Sequence, residues 1–200
     1  MEFVGAMLVA FVAIFPVELP DKTFVATLVL STRYPPLPTW IGVVLAFAVQ
    51  CAVAVTAGHL ISRLPQRPVQ LVAAGLFLVG AIVLARGARK ADAQEREAEE
   101  EYSAKVTERK TGLRAVGASF VVLFAAEWGD LSQLLTASLV ASGRPPIATG
   151  LGAWLALATV SGLAVLLGRW LLKRVKLSLI RYIGAGVCLA LATVTIISAI

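Results

Sequence analysis

Histidine occurs once in this chain, at position 59, and cysteine twice, at positions 51 and 188. That scarcity removes the donor sets on which zinc and copper sites usually depend. It also removes the metal-binding His pair, or the nucleophile with its base, that an intramembrane enzyme would need, so no enzymatic activity is expected. Both cysteines stand inside apolar stretches, where they read as small packing residues and not as a disulfide or metal pair. Charge is scarce too. Only 15% of the 200 residues are Asp, Glu, Lys or Arg, against about a quarter in soluble domains. Hydrophobic residues make up 58%, and the mean hydropathy is +0.85. There is no room for a soluble catalytic domain.

What the chain has in quantity is uninterrupted apolar sequence. Runs of about 17–25 residues can cross roughly 30 Å of hydrocarbon as helix. Six are present, at Phe3–Leu30, Trp40–Ile61, Val69–Ala85, Ala115–Val140, Ile147–Leu167 and Ile183–Ile200. The expected fold is an all-α polytopic membrane protein with six transmembrane helices. The first run has no basic residue ahead of it (Glu2 is the only early charge) and outlasts a signal peptide's apolar core, so it reads as retained.

Lys and Arg set the orientation. Fourteen of them follow the first, third and fifth runs: Arg33, the basic residues between Arg86 and Arg114, and Arg169, Lys173, Arg174, Lys176 and Arg181. The other side carries Arg63, Arg67 and Arg144. The positive-inside rule then places the central linker in the cytoplasm and both termini outside. The formal net charge of +6 is thus a topology and lipid-surface signal, with the bilayer as partner and no nucleic acid implied. Compact size and the lack of a transit sequence suggest a bacterial inner membrane. The linker itself, Arg86 to Gly112, is dense in charges of both signs and reads as a solvated helix or flexible connector. Its Glu99-Glu100-Glu101 run could attract divalent cations loosely.

The chain repeats itself. "FVAIFPVELPDKTF" from Phe11 aligns with "FVVLFAAEWGDLSQ" from Phe120, pairing Glu18 with Glu127, Asp21 with Asp130 and Thr23 with Ser132. One inserted residue later, Pro35-Pro36 pairs with Pro145-Pro146, Gly42 with Gly152 and Gly58 with Gly168. The expected organisation is a first three-helix repeat at 1–85, a charged cytoplasmic linker at 86–112 and a second three-helix repeat at 113–200. An odd number of spans per repeat inverts the second copy, a plan common among secondary transporters with midplane sites between repeats.

Of twelve acidic residues, seven lie in the linker and one is Glu2; the others are Glu18, Asp21, Glu127 and Asp130, each near the middle of its run. A charge at mid-bilayer costs at least ~2.5–3.5 kcal/mol, so it usually marks a pathway or a partner. Residues three apart share a helical face, so each Glu-x-x-Asp is expected to aim two carboxylates the same way. Pro16 and Pro20 disturb the first helix and Gly129 loosens the second, freeing carbonyl oxygens beside the acids. If the repeats pack symmetrically, the four carboxylates converge with the hydroxyls of Thr23 and Ser132 and the amide of Gln133. The set is all oxygen, which suits calcium, manganese or magnesium. Manganese tolerates such a shell well, whereas magnesium dehydrates reluctantly. Lys22, one turn from Glu18, could pair with it, but would offset one charge of four and leave Glu127 and Asp130 untouched. Protons would occupy so crowded a site when metal is absent, which points to metal–proton competition at an alternating-access site.

The motifs "ELPDKT" and "EWGDLSQ" resemble the twin E-x-G-D-[KR]-[ST] signatures of the Gdt-one family of manganese/calcium–proton antiporters, over the whole chain. The resemblance implies exchange of Mn2+ or Ca2+ for protons, with no prosthetic group and with Glu18, Asp21, Glu127 and Asp130 as ligands, supported by Thr23 and Ser132. Two departures stand out: Pro20 replaces the first motif's Gly, and Leu131 replaces the second's basic residue. An exporter of amino acids or small organic cations with the same inverted plan is the alternative. Such a substrate would need selectivity groups near the acids, for which only Trp128 and Gln133 qualify. His59 reads as interfacial, Gln50 as either path-lining or helix-bonding, and Trp40, Trp154 and Trp170 as interface or packing residues. An oligomer is compatible with the sequence, which sets no stoichiometry.

Overall fold

The computed structural model describes residues 2–19, 21–106, 108–174 and 177–199, with side chains omitted at positions 92, 105 and 168–177. Pro20 and the side chains of Arg169, Trp170, Lys173 and Arg174 therefore lie outside the described residues, as does Lys176. Nine α-helices are described. They are α1 (Glu2–Glu18), α2 (Lys22–Arg33), α3 (Pro36–Ile61), α4 (Gln66–Gly87), α5 (Ala91–Lys105), α6 (Gly112–Ala126), α7 (Leu131–Ala141), α8 (Pro146–Arg174) and α9 (Leu177–Ala199).

Four helices are long and apolar enough to cross a membrane alone, and there are six spans if each bent pair, α1 with α2 and α6 with α7, counts as one. The bends are 70° and 72°. The long helices begin where the prolines dictate. Pro36 and Pro146 are the first residues of α3 and α8, a position where the missing N–H costs nothing. The proline before each disfavours helical backbone in the residue ahead of it, and α2 and α7 have stopped by then.

The packing is crosswise between the halves. The broken helices α1 and α2 lie on α8, while α6 and α7 lie on α3; α3 and α8 cross each other, and α4 pairs with α9. This correspondence accords with the repeat read from the sequence. The α3–α8 crossing is tied by reciprocal indoles. Trp40 Nε1 donates to the Ala158 carbonyl at 3.0 Å and Trp154 Nε1 to that of Val44 at 3.1 Å. The interior is rich in alanine, while large aliphatics such as Leu8, Leu45, Val72, Val83 and Leu189 face outward. In lipid there is no hydrophobic drive to bury Leu, so small residues that allow close helix approach make the better interface.

Two repeat-equivalent glycines show how close that approach is. A Cβ on Gly42 would run into the Val116 carbonyl of α6, and one on Gly152 into the Met7 carbonyl of α1. Gly152→Ala should therefore lower the melting temperature of the purified protein, reflecting overpacking of about 1–3 kcal/mol. Gly75→Ala, with nothing within 4 Å of the added methyl, is the neutral control. Equal melting of the two variants would contradict the crossing described here.

Of the solvated helix or flexible connector expected for the linker, the helix is what forms, but it is not solvated on every side. After a short 3-10 turn at Ala88–Lys90, it continues as α5, and Ala91, Ala98, Tyr102 and Val106 are buried. The helix lies chiefly on α2, with a lighter contact to α9. One side of a highly charged helix thus carries small and aromatic residues, which give it a face to dock.

Candidate functional site

The two acidic motifs sit where the helices break. Glu18 is the last residue of α1 and Asp21 caps the start of α2; Glu127 caps the end of α6 and Asp130 the start of α7. Each break closes in the same way. The Asp21 amide donates to the Glu18 carbonyl at 3.1 Å, and the Asp130 amide to that of Glu127 at 3.3 Å. Gly129 has φ +79, a left-handed conformation that glycine adopts without strain. The expected shared helical face is thus not what aligns each Glu with its Asp. No helix runs through either motif; the sharp bend brings the acids together.

Gln133 also differs from expectation. Its Nε2 donates to the Glu127 carbonyl at 3.1 Å, and its Oε1 accepts from the Gly129 amide at 3.2 Å. The amide stitches the break and is spent on backbone groups that would otherwise be orphaned.

The four carboxylates converge. Glu18, Asp21, Glu127 and Asp130 each offer one oxygen, and these oxygens lie within 4.8 Å of one another. Glu18 is fully buried and Glu127 is 4% exposed, while the two aspartates are half-buried. The hydroxyls enter crosswise: Ser132 of the second motif lies beside Glu18, and Thr23 of the first beside Glu127. Both Glu18 carboxylate oxygens, the Thr23 hydroxyl and Asp130 Oδ2 are buried with no hydrogen-bond partner in ordinary geometry. Neither aspartate spends its side chain on capping its helix. Buried polar atoms are rarely left without a partner, and oxygen donors in a cluster of this kind are the ligand type that hard cations take. Lys22 does not neutralise it. Its side chain is exposed and acts on Asp21, not on Glu18, so it offsets part of one charge of the four.

A cavity of about 360 Å³ reaches the two aspartates from the linker side, bordered by Lys22, Leu131, Gln94, Glu97 and Arg181. Two residues there went unnoticed as site neighbours in the sequence. Tyr102 of α5 is buried; burial first, then the carboxylates of Glu127, Glu101, Asp21 and Asp130, push its phenol well above the usual tyrosine range, so it stays protonated. Arg181, counted as a loop charge, is only 9% exposed, and its Nη1 donates to the Gly87 carbonyl at 2.8 Å and to Gln94 Oε1. The available signal for Tyr102 was the stripe Ala91, Ala98, Tyr102 at helical spacing. For Arg181 there was none.

Other candidates fall away. Gln50 is buried and donates to the Phe124 carbonyl at 3.1 Å, which ties α3 to α6. Trp128 is 60% exposed and leans on Phe124, so it does not wall the acids. His59 is exposed near the end of α3. Both cysteines are buried and free.

Comparison with known proteins gives a concordant picture. A family model described as divalent cation/proton antiporter GDT1 matches residues 6–92 and 115–200. The GDT1-like protein sll0615 of Synechocystis is 31% identical over 177 residues, covering 84% of each chain. The chloroplastic PAM71 of Arabidopsis thaliana is 30% identical across 94% of this chain, and the chloroplastic PAM71-homolog 28% across 93%. The chain spans only 55% and 57% of those two plant proteins. No solved structure matches significantly.

Proposed function

The chain belongs to the GDT1 family of divalent cation/proton antiporters, and from that premise we propose that it exchanges Mn2+ for protons at the four-carboxylate cluster. Ca2+ is the second candidate cargo. The observation that carries the reading is the convergence of Glu18, Asp21, Glu127 and Asp130 within 4.8 Å, with Glu18 left unpartnered. Four carboxylates and the hydroxyls of Thr23 and Ser132 amount to six oxygens, the number an octahedral Mn2+ shell takes; Ca2+ accepts 6–8.

The exchange follows from charge. Without metal, carboxylates this close together in a low dielectric cannot all stay ionised, so protons are held in its place. Metal entering from one face displaces them, and the site then opens to the other. The two bent pairs are the elements that would move. On the face away from the linker, Gly58 lets α3 approach the α7 backbone at Ala137 closely, which supports a closed outer side and access from the linker side. The positive-inside distribution supports a cytoplasmic linker in a plasma membrane.

Proteoliposomes with an imposed pH gradient test this directly. Mn2+ should accumulate against its gradient on the more acidic side, and dissipating the pH difference should stop it. Absence of Mn2+ and Ca2+ flux from folded, inserted protein would overturn the proposal.

A further inference from the structure

The cavity leading to the aspartates is roofed by α5. The roof is held at a corner where three elements meet: Gly87 ends α4, Gln94 lies in α5 and Arg181 lies near the start of α9. One guanidinium nitrogen bonds both the Gly87 carbonyl and the Gln94 side chain. The fit depends on glycine, because a Cβ on Gly87 would stand 2.9 Å from that nitrogen. Beneath the roof lie Asp21, Val25, Leu84 and Asp130. Arg181 also acts electrostatically on Asp21 across the cavity. Along its length α5 buries Ala91, Ala98 and Tyr102, and Val106 just past its end is buried too.

We propose that α5 is the linker-side gate of the transport pathway and that Arg181 is its latch, holding the helix over the cavity through Gln94 while keeping a fixed positive charge opposite Asp21. The proposal rests on the four-carboxylate reading above for what the pathway carries. Closure itself does not depend on that reading.

The physical case is one of unequal attachments. Helix α5 is strongly polar overall and shares a docking face of only a few small and aromatic residues, so its hold on the bundle is modest compared with the α3–α8 or α4–α9 packing. A hydrogen bond from a buried guanidinium is among the stronger single tethers available. When a cation occupies the acids, the attraction of Arg181 for Asp21 is offset, which loosens the latch from within. Loading and opening are thereby linked, and the carboxylates of α5 at the cavity border give an incoming cation a favourable field.

Cysteine labelling reads gate position without requiring transport. With Cys51 and Cys188 replaced by alanine, Val25→Cys places a thiol on the cavity wall. A membrane-impermeant thiol reagent is then applied to the linker face of vesicles. Gln94→Leu removes the latch acceptor and should raise the labelling rate by roughly tenfold, the change expected from losing a hydrogen bond to a charged group. Arg181→Gln should raise it at least as much. Gln94→Glu keeps an acceptor for Arg181 and should label no faster than the parent, an outcome that general damage to the helix would not produce. Melting curves of each variant confirm folding. Equal labelling of the parent, Gln94→Leu and Arg181→Gln, all folded, would overturn the gate. Faster labelling without Mn2+ flux in the parent would leave the gate standing and sink the antiporter reading.

Discussion

Asp130→Asn is expected to abolish proton-driven Mn2+ uptake while leaving the protein folded. Asp130 is the residue whose charge acts on all three of its companions, Glu18, Asp21 and Glu127. It also borders the linker-side cavity, so it meets both the buried end of the site and its mouth. Asparagine is nearly the same size, and Asp130 makes no side-chain cap bond that the change could break, so the start of α7 should survive. What is lost is one anionic ligand and one proton-binding group. Even changes outside the ligand shell cost roughly 10–100-fold at metal sites, so a drop on the order of 100-fold or more in uptake is expected here. Uptake within a few-fold of wild type, measured in the same proteoliposomes, would remove Asp130 from the site.

Glu18→Gln should separate stability from function. Its carboxylate is fully buried, lies against three other acids and has neither oxygen hydrogen-bonded. Such an arrangement is costly in the absence of a cation. Glutamine is neutral without having to take up a proton, and it supplies two N–H donors beside Ser132 and the remaining carboxylates. Relief of about 0.5–2 kcal/mol is expected, which for a chain of this size corresponds to a rise of roughly 1–8 °C in the metal-free melting temperature. Wild type should gain about 2.7 kcal/mol when Mn2+ reaches 100 times its dissociation constant, and the variant should gain little. A metal-free variant that melts lower than wild type, yet is still stabilised by Mn2+, would contradict both parts.

Much of this site is legible in the sequence alone. Four acids outside the linker, in two aligned motifs, could hardly be structural accidents in apolar sequence, and the structure does bring all four together. Their geometry is less legible there. The prolines and Gly129 point to a break in each motif, as found, but three-residue spacing also suggests a shared helical face, which a break does not preserve. Gln133 was read as a spare amide near metal, although a break leaves orphan backbone groups that claim the nearest amide first.

The linker shows the same limit from another side. Its charge density argued for solvation, and most of α5 does face water. Docking turned on a few residues, Ala91, Ala98, Tyr102 and Val106, whose burial depends on what the folded bundle presents to them. Arg181 is the sharper case. In the sequence it reads as a topogenic charge, because arginine after an apolar run usually reaches water. Here it finds a carbonyl at the end of α4 and an amide from α5, residues 94 and 87 positions away in sequence.

Composition, run length and the internal alignment were enough for an all-helical membrane chain carrying two copies of an oxygen-donor motif, because hydropathy and residue chemistry are local properties. Which oxygens meet, which amide closes the hinge and which arginine holds the linker helix depend on contacts between distant segments. Those contacts form only when α1 and α2 settle on α8, and α6 and α7 on α3.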